Sequence, residues 1–121
     1  MRVILFSLVL AAVSFAADAA GRWSGNIEIK SPDGESRARP VLLIFKREGG
    51  KLKGSGGPND DRQISFINVG EDETRLMFEV DDDGTTAKFD VKVEGDEMKG
   101  EAKISHDGQA MDGKFILKRE K

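Results

Sequence analysis

Few residues of this chain could carry acid–base or nucleophilic chemistry. His106 is the single histidine, and there is no cysteine and no tyrosine. His106 lies in Ser105-His106-Asp107-Gly108. A hydroxyl, an imidazole and a carboxylate suit acyl transfer when they line up in space, each orienting or deprotonating the next. Consecutive residues on one turn point apart, so the sequence predicts an exposed turn histidine and no catalysis there. Carboxylates cluster as Asp60-Asp61, Glu71-Asp72-Glu73 and Asp81-Asp82-Asp83. A calcium site needs several oxygens at controlled spacing, and Asp81-Asp82-Asp83-Gly84 is too short to supply them. Aspartate favours turns because its side chain bonds nearby backbone groups, so these clusters read as turns. Gly54-Ser55-Gly56-Gly57 is glycine-rich, but no helix follows to present its N-terminus to a phosphate. The sequence therefore predicts no catalytic residue, no metal and no cofactor.

Composition narrows the partners. Without cysteine there is no disulfide framework and no thiolate zinc site. Nineteen Lys and Arg against 22 Asp and Glu give a net charge of -3. No basic excess is available to neutralise phosphates, so nucleic acid is not an expected partner.

The aromatic residues must be placed by strands. Beyond residue 20 they are Trp23, Phe45, Phe66, Phe78, Phe89 and Phe115, each in a different segment of period-two alternation. Trp23, Gly25, Ile27 and Ile29 share one face of the first segment. Ala87, Phe89, Val91 and Val93 share one face of another, with Lys88, Asp90, Lys92 and Glu94 opposite. Fourteen glycines mark the turns between segments. The pattern predicts strands from Trp23, Arg39, Lys51, Gln63, Thr74, Thr85, Glu97 and Gln109. Short connections make sequence neighbours antiparallel neighbours. We therefore expect an all-β, eight-stranded antiparallel up-and-down barrel, because closure removes the unpaired edges of such a meander. A two-sheet sandwich is the alternative. The echo between Gly49-Gly50-Lys51-Leu52-Lys53-Gly54 and Gly95-Asp96-Glu97-Met98-Lys99-Gly100 reads as hairpin architecture.

Ahead of the barrel, residues 1–20 run MRVILFSLVLAAVSFAADAA. Arg2 precedes an apolar run too short to span a bilayer, followed by small residues, which is the pattern of a cleaved secretory leader. Ala17-Asp18-Ala19 is one A-x-A-like cleavage step and Ser14-Phe15-Ala16 a second. The expected organisation is a leader over 1–19 and a barrel domain over 20–121. The expected location is secreted or periplasmic, with no membrane span left after cleavage and a monomeric state.

Gly21-Arg22-Trp23 resembles the G-x-W signature of the lipocalin and calycin superfamily. Phe115-Ile116-Leu117-Lys118-Arg119 resembles its last strand, whose basic residue packs over the Trp. Pro32-Asp33-Gly34, Leu52-Lys53-Gly54 and Gly95 to Gly100 are similar to steps in small lipocalin-like secreted domains of bacteria. The resemblance implies a barrel closed by Trp23 and Arg119. The parity of the last strand independently points Arg119 inward, where a guanidinium over an indole is a favourable stack.

A barrel of eight strands is either just filled by side chains or able to hold one small ligand. The first expectation is an exported, non-catalytic module that takes a small apolar or amphipathic ligand. Its candidate lining is Ile27, Ile29, Phe45, Phe78 and Phe89. The ligand would enter opposite Trp23 and Arg119, past the turns at Ser31–Gly34, Gly57–Asp61, Asp81–Gly84 and His106–Gly108. The alternative is a filled barrel that binds an extracytoplasmic protein, as an interaction or inhibitor module. An enzyme, such as a hydrolase, is the least favoured class.

Overall fold

The computed structural model describes residues 19–120. The leader expected over 1–19 lies outside the described residues except for Ala19. The described chain is all-β: β1 (Gly21–Lys30), β2 (Ser36–Glu48), β3 (Lys51–Asn59), β4 (Arg62–Ser65), β5 (Ile67–Asp72), β6 (Arg75–Asp82), β7 (Thr85–Glu94), β8 (Glu97–His106) and β9 (Gln109–Arg119). They form one antiparallel sheet in the order β4-β3-β2-β1-β9-β8-β7-β6-β5. First and last strands pair, with Trp23 opposite Arg119 and Ile27 opposite Phe115. The sheet curls into a nearly closed barrel, and the two-sheet sandwich does not form.

The strands number nine rather than the expected eight. The segment expected as one strand from Gln63 to Val69 divides at Phe66 into β4 and β5. β4 pairs with β3, and β5 pairs with β6. The chain thus changes partner at Phe66, whose N–H donates to the Gly54 carbonyl at 2.8 Å. Asn68 follows in the left-handed region at φ 51°. The Phe66 ring fits because β3 offers glycine there: a Cβ on Gly56 would stand 2.7 Å from its Cζ. Near the Trp23 end, Arg47 of β2 and Glu71 of β5 make a paired guanidinium–carboxylate contact, 2.7 and 3.0 Å. These contacts bring the free edges together where no regular ladder joins them.

Alternation sets the layers. Trp23, Leu43, Phe45, Leu52, Leu76, Phe78, Val91, Val93, Met98, Ala102, Phe115 and Leu117 are buried and face inward. Their outward neighbours are mostly charged. A buried Phe or Leu is worth roughly 1.5–3 kcal/mol over an exposed one, so one consistent register places the whole inner set together.

One hairpin departs from the expected layout. The turns after β1, β6 and β8 lie at the end away from Trp23, as the strand directions require. The turn expected at Gly57–Asp61 instead bends onto the outer face. Its Asp60 accepts two hydrogen bonds from Arg22, at 2.8 and 3.2 Å, one residue before Trp23. Gln63 Nε2 donates to the Leu42 carbonyl at 3.2 Å, and Leu42, outward by parity, is 6% exposed. That turn therefore does not stand at the far mouth. The bend needs Gly57, where a Cβ would lie 1.6 Å from the Arg62 carbonyl oxygen. Gly57→Ala should displace the hairpin and cost about 1–3 kcal/mol, the usual range for forced overpacking. A urea midpoint equal to wild type would contradict the close approach.

Candidate functional site

The end holding Trp23 is plugged. Strand parity aims both Trp23 and Arg119 inward, and the Arg119 guanidinium carbon lies 4.2 Å from the indole centroid. Trp23 is 0% exposed. Its Nε1–H donates to the Ala19 carbonyl at 2.9 Å. Arg119 donates from Nη1 to the Ala20 carbonyl at 2.6 Å and from Nε to Asp96 Oδ1 at 3.0 Å. The guanidinium thus ties the chain segment before β1 to the β7–β8 turn. Sequence parity foresaw the stack, and the carbonyls of Ala19 and Ala20 complete it.

The candidate lining residues are placed as follows. Phe45 and Phe78 are buried and Phe89 is half-buried. Their rings join Phe66 and Phe115 in a continuous series: Phe45 to Phe66 5.5 Å, Phe66 to Phe78 4.2 Å, Phe78 to Phe89 4.8 Å, Phe89 to Phe115 6.1 Å. Ile27 is buried against this cluster beside Phe115, and Ile29 is half-buried towards the far end. All five candidates therefore belong to or pack against one core cluster, and Phe45, Phe78 and Phe89 meet ring on ring across the middle of the barrel. Such offset and tilted ring pairs are worth roughly 0.5–1.5 kcal/mol each beyond their burial.

His106 has more company than its turn suggests. Adjacent residues on this turn are expected to point apart, yet Asp107 approaches His106, and β7 supplies a hydroxyl. Thr85 Oγ1 lies 2.6 Å from His106 Nδ1, and Asp107 Oδ2 lies 3.3 Å from Nε2. A hydroxyl, an imidazole and a carboxylate therefore do stand in line. The His106 and Asp107 side chains are 52% and 79% exposed, so water competes for every one of these contacts. Activation of a hydroxyl depends on a water-excluded setting in which such dipoles are strong. The turn offers none.

Two depressions lie on the outer surface. The larger, about 1040 Å³, crosses five strands from β6 to β1. Gly25, Val91, Gly100 and Phe115 contribute to it although their inward parity places them on the core side. Glycine explains the dent: a Cβ on Gly100 would lie 2.3 Å from Val91 and one on Gly25 2.9 Å from Leu117, so the backbone sinks towards the core at both. Outward side chains form the walls in two cross-strand rows. Arg75, Lys92, Lys99, Ile116 and Asn26 are successive register partners. Asp90, Glu101, Lys114 and Glu28 form the next row, which Met77 extends beyond the depression. Arg75 Nε donates to Asp90 Oδ1 at 2.8 Å, and its Nη2 to Oδ2. This pairing holds the Asp90 carboxyl below the usual carboxylate range and raises Arg75. Lys99 approaches Glu97, outside the depression, at 3.7 Å. Lys92 and Lys114 take part in no ion pair among the described residues. The smaller depression, about 340 Å³, adjoins the first at Asp90 and Glu101 and includes Met77, Lys88 and Lys103.

Sequence reasoning singled out none of this outer surface. Lys88, Asp90, Lys92 and Glu94 were legible as one solvated strand face, but which charges meet across strands depends on register. No helix among the described residues is long and apolar enough to cross a membrane. No protein family, curated protein or solved structure matches this chain.

Proposed function

We propose that this chain is an exported, non-catalytic interaction module that recognises a protein partner with the outside of a filled barrel. The observation that carries the reading is the ring series from Phe45 to Phe115. An interior that holds a small molecule keeps room for it, commonly about 300–1,000 Å³. Here the mid-barrel side chains meet one another instead, and the two depressions of about 1040 and 340 Å³ lie on the outer surface. The leader-like start supports export. The nearly closed barrel with a Trp–Arg plug is compatible with a lipocalin-like fold, and an accessory or inhibitory role suits so poor a stock of catalytic groups.

The test is a titration with Nile red, an environment-sensitive apolar dye, on wild type and on Ile29→Lys. The expected result is no saturable uptake by either. Stoichiometric binding to wild type that the lysine abolishes would overturn the proposal and restore the small-ligand reading, with Ile29 at its entrance.

A further inference from the structure

We infer that the groove across β6, β7, β8, β9 and β1 binds an extended acidic segment of the partner. The inference rests on the interaction-module reading and names the surface and the chemistry it recognises. Like charges set directly opposite one another on neighbouring strands are destabilising. The row Arg75, Lys92, Lys99 contains two such juxtapositions in succession. Asp90 relieves Arg75 and Glu97 draws on Lys99, both from outside the row, but Lys92 stands between two cations and closes no ion pair with Asp90 or Glu94, its neighbours along the same strand face. An anion laid along the row would supply what the fold leaves out.

The row continues into Ile116, which is 54% exposed and faces the same depression. A cationic stretch that runs into an apolar side chain matches a polypeptide better than a uniform polyanion. The adjacent Asp90–Glu101 pair points the same way, because it repels any ligand charged along its whole width. A second copy docked through the same groove would set dent against dent, so an extended chain is the better fit in shape. Five strands at about 4.8 Å spacing span about 19 Å, which about six extended residues cover.

The test uses the leaderless protein and two capped hexapeptides, Glu-Ala-Glu-Leu-Glu-Ala and the same peptide with Gln for Glu. At low salt the wild type should bind the Glu peptide at least tenfold more tightly than the Gln peptide, with affinity falling as salt rises. Lys92→Glu should lose that preference while keeping the melting temperature within a few degrees of wild type, since relief of the repulsion from Arg75 and Lys99 is offset by new repulsion from Asp90 and Glu94 on its own strand face. Retained stability with a loss of binding is a pair of outcomes that mere unfolding cannot mimic. Equal binding of both peptides, or full binding by Lys92→Glu, overturns the inference. Tighter binding of a sulfated polysaccharide through Lys92 also overturns it. If a partner captured by wild type is still captured by Lys92→Glu, the groove is wrong and the module reading stands. Saturable dye uptake in the barrel instead removes the reading on which the inference rests.

Discussion

Trp23→Ala is expected to lower folding stability by about 3–5 kcal/mol, the range for truncating a large buried aromatic. The indole has no exposed surface, so its removal opens a cavity at the plugged end. The same change takes away the ring beneath Arg119 and the donor to the Ala19 carbonyl. A guanidinium over an indole contributes roughly 0.5–2 kcal/mol, so packing dominates the loss. A domain of this size is typically stable by about 5–15 kcal/mol, and such a variant keeps only part of that. Trp23→Phe should cost less, because most of the ring volume and the platform for Arg119 survive. Trp23 is the single tryptophan, so unfolding should be followed by far-UV circular dichroism rather than fluorescence. A urea midpoint unchanged in Trp23→Ala would show that the plug does not hold the barrel together.

The plug was legible in the sequence because parity within a strand is a local property. Counting twos from Met111 brings Gly113, Phe115, Leu117 and Arg119 to one face, and counting twos from Trp23 brings Ile27 and Ile29 there. The turns were legible for a similar reason, since Asp33-Gly34, Asp83-Gly84 and Asp107-Gly108 carry their backbone requirement in their own side chains. The break at Phe66 was not. Nothing between Gln63 and Val69 is a strong turn signal, and the switch from β3 to β6 arises because β3 leaves space at Gly54 and Gly56 for the ring. The β3–β4 hairpin was misplaced because its position depends on the close approach at Gly57 and on contacts to Leu42 and Arg22, 21 and 38 residues from their partners. The outer groove and the Thr85–His106 contact share that cause. Both are products of cross-strand register, which the hydrophobic pattern fixes only after the partners are known.

If the chain is exported as proposed, its processed form is expected to begin at Ala17 rather than at Ala20. The proposed leader offers two cleavage steps, Ala17-Asp18-Ala19 and Ser14-Phe15-Ala16. Ala19 is 1% exposed and packs in the core, and its carbonyl accepts the buried indole N–H at 2.9 Å. Cleavage after Ala19 would remove that residue and leave Nε1 without its acceptor. An orphaned buried donor costs about 1–3 kcal/mol. The same cut would place a new ammonium group on Ala20, whose carbonyl holds the Arg119 guanidinium at 2.6 Å, so two cations would crowd one corner. Cleavage after Ala16 keeps both carbonyls inside the chain, in ordinary peptide bonds, and leaves Ala20 without a terminal charge. Intact-mass analysis of the exported protein should therefore give residues 17–121. A recombinant form starting at Ala20 should unfold at a lower urea concentration than one starting at Ala17, by a margin equivalent to about 1–3 kcal/mol. Equal midpoints for the two forms would show that the Ala19 carbonyl is dispensable, and an exported chain of full length would remove the leader itself.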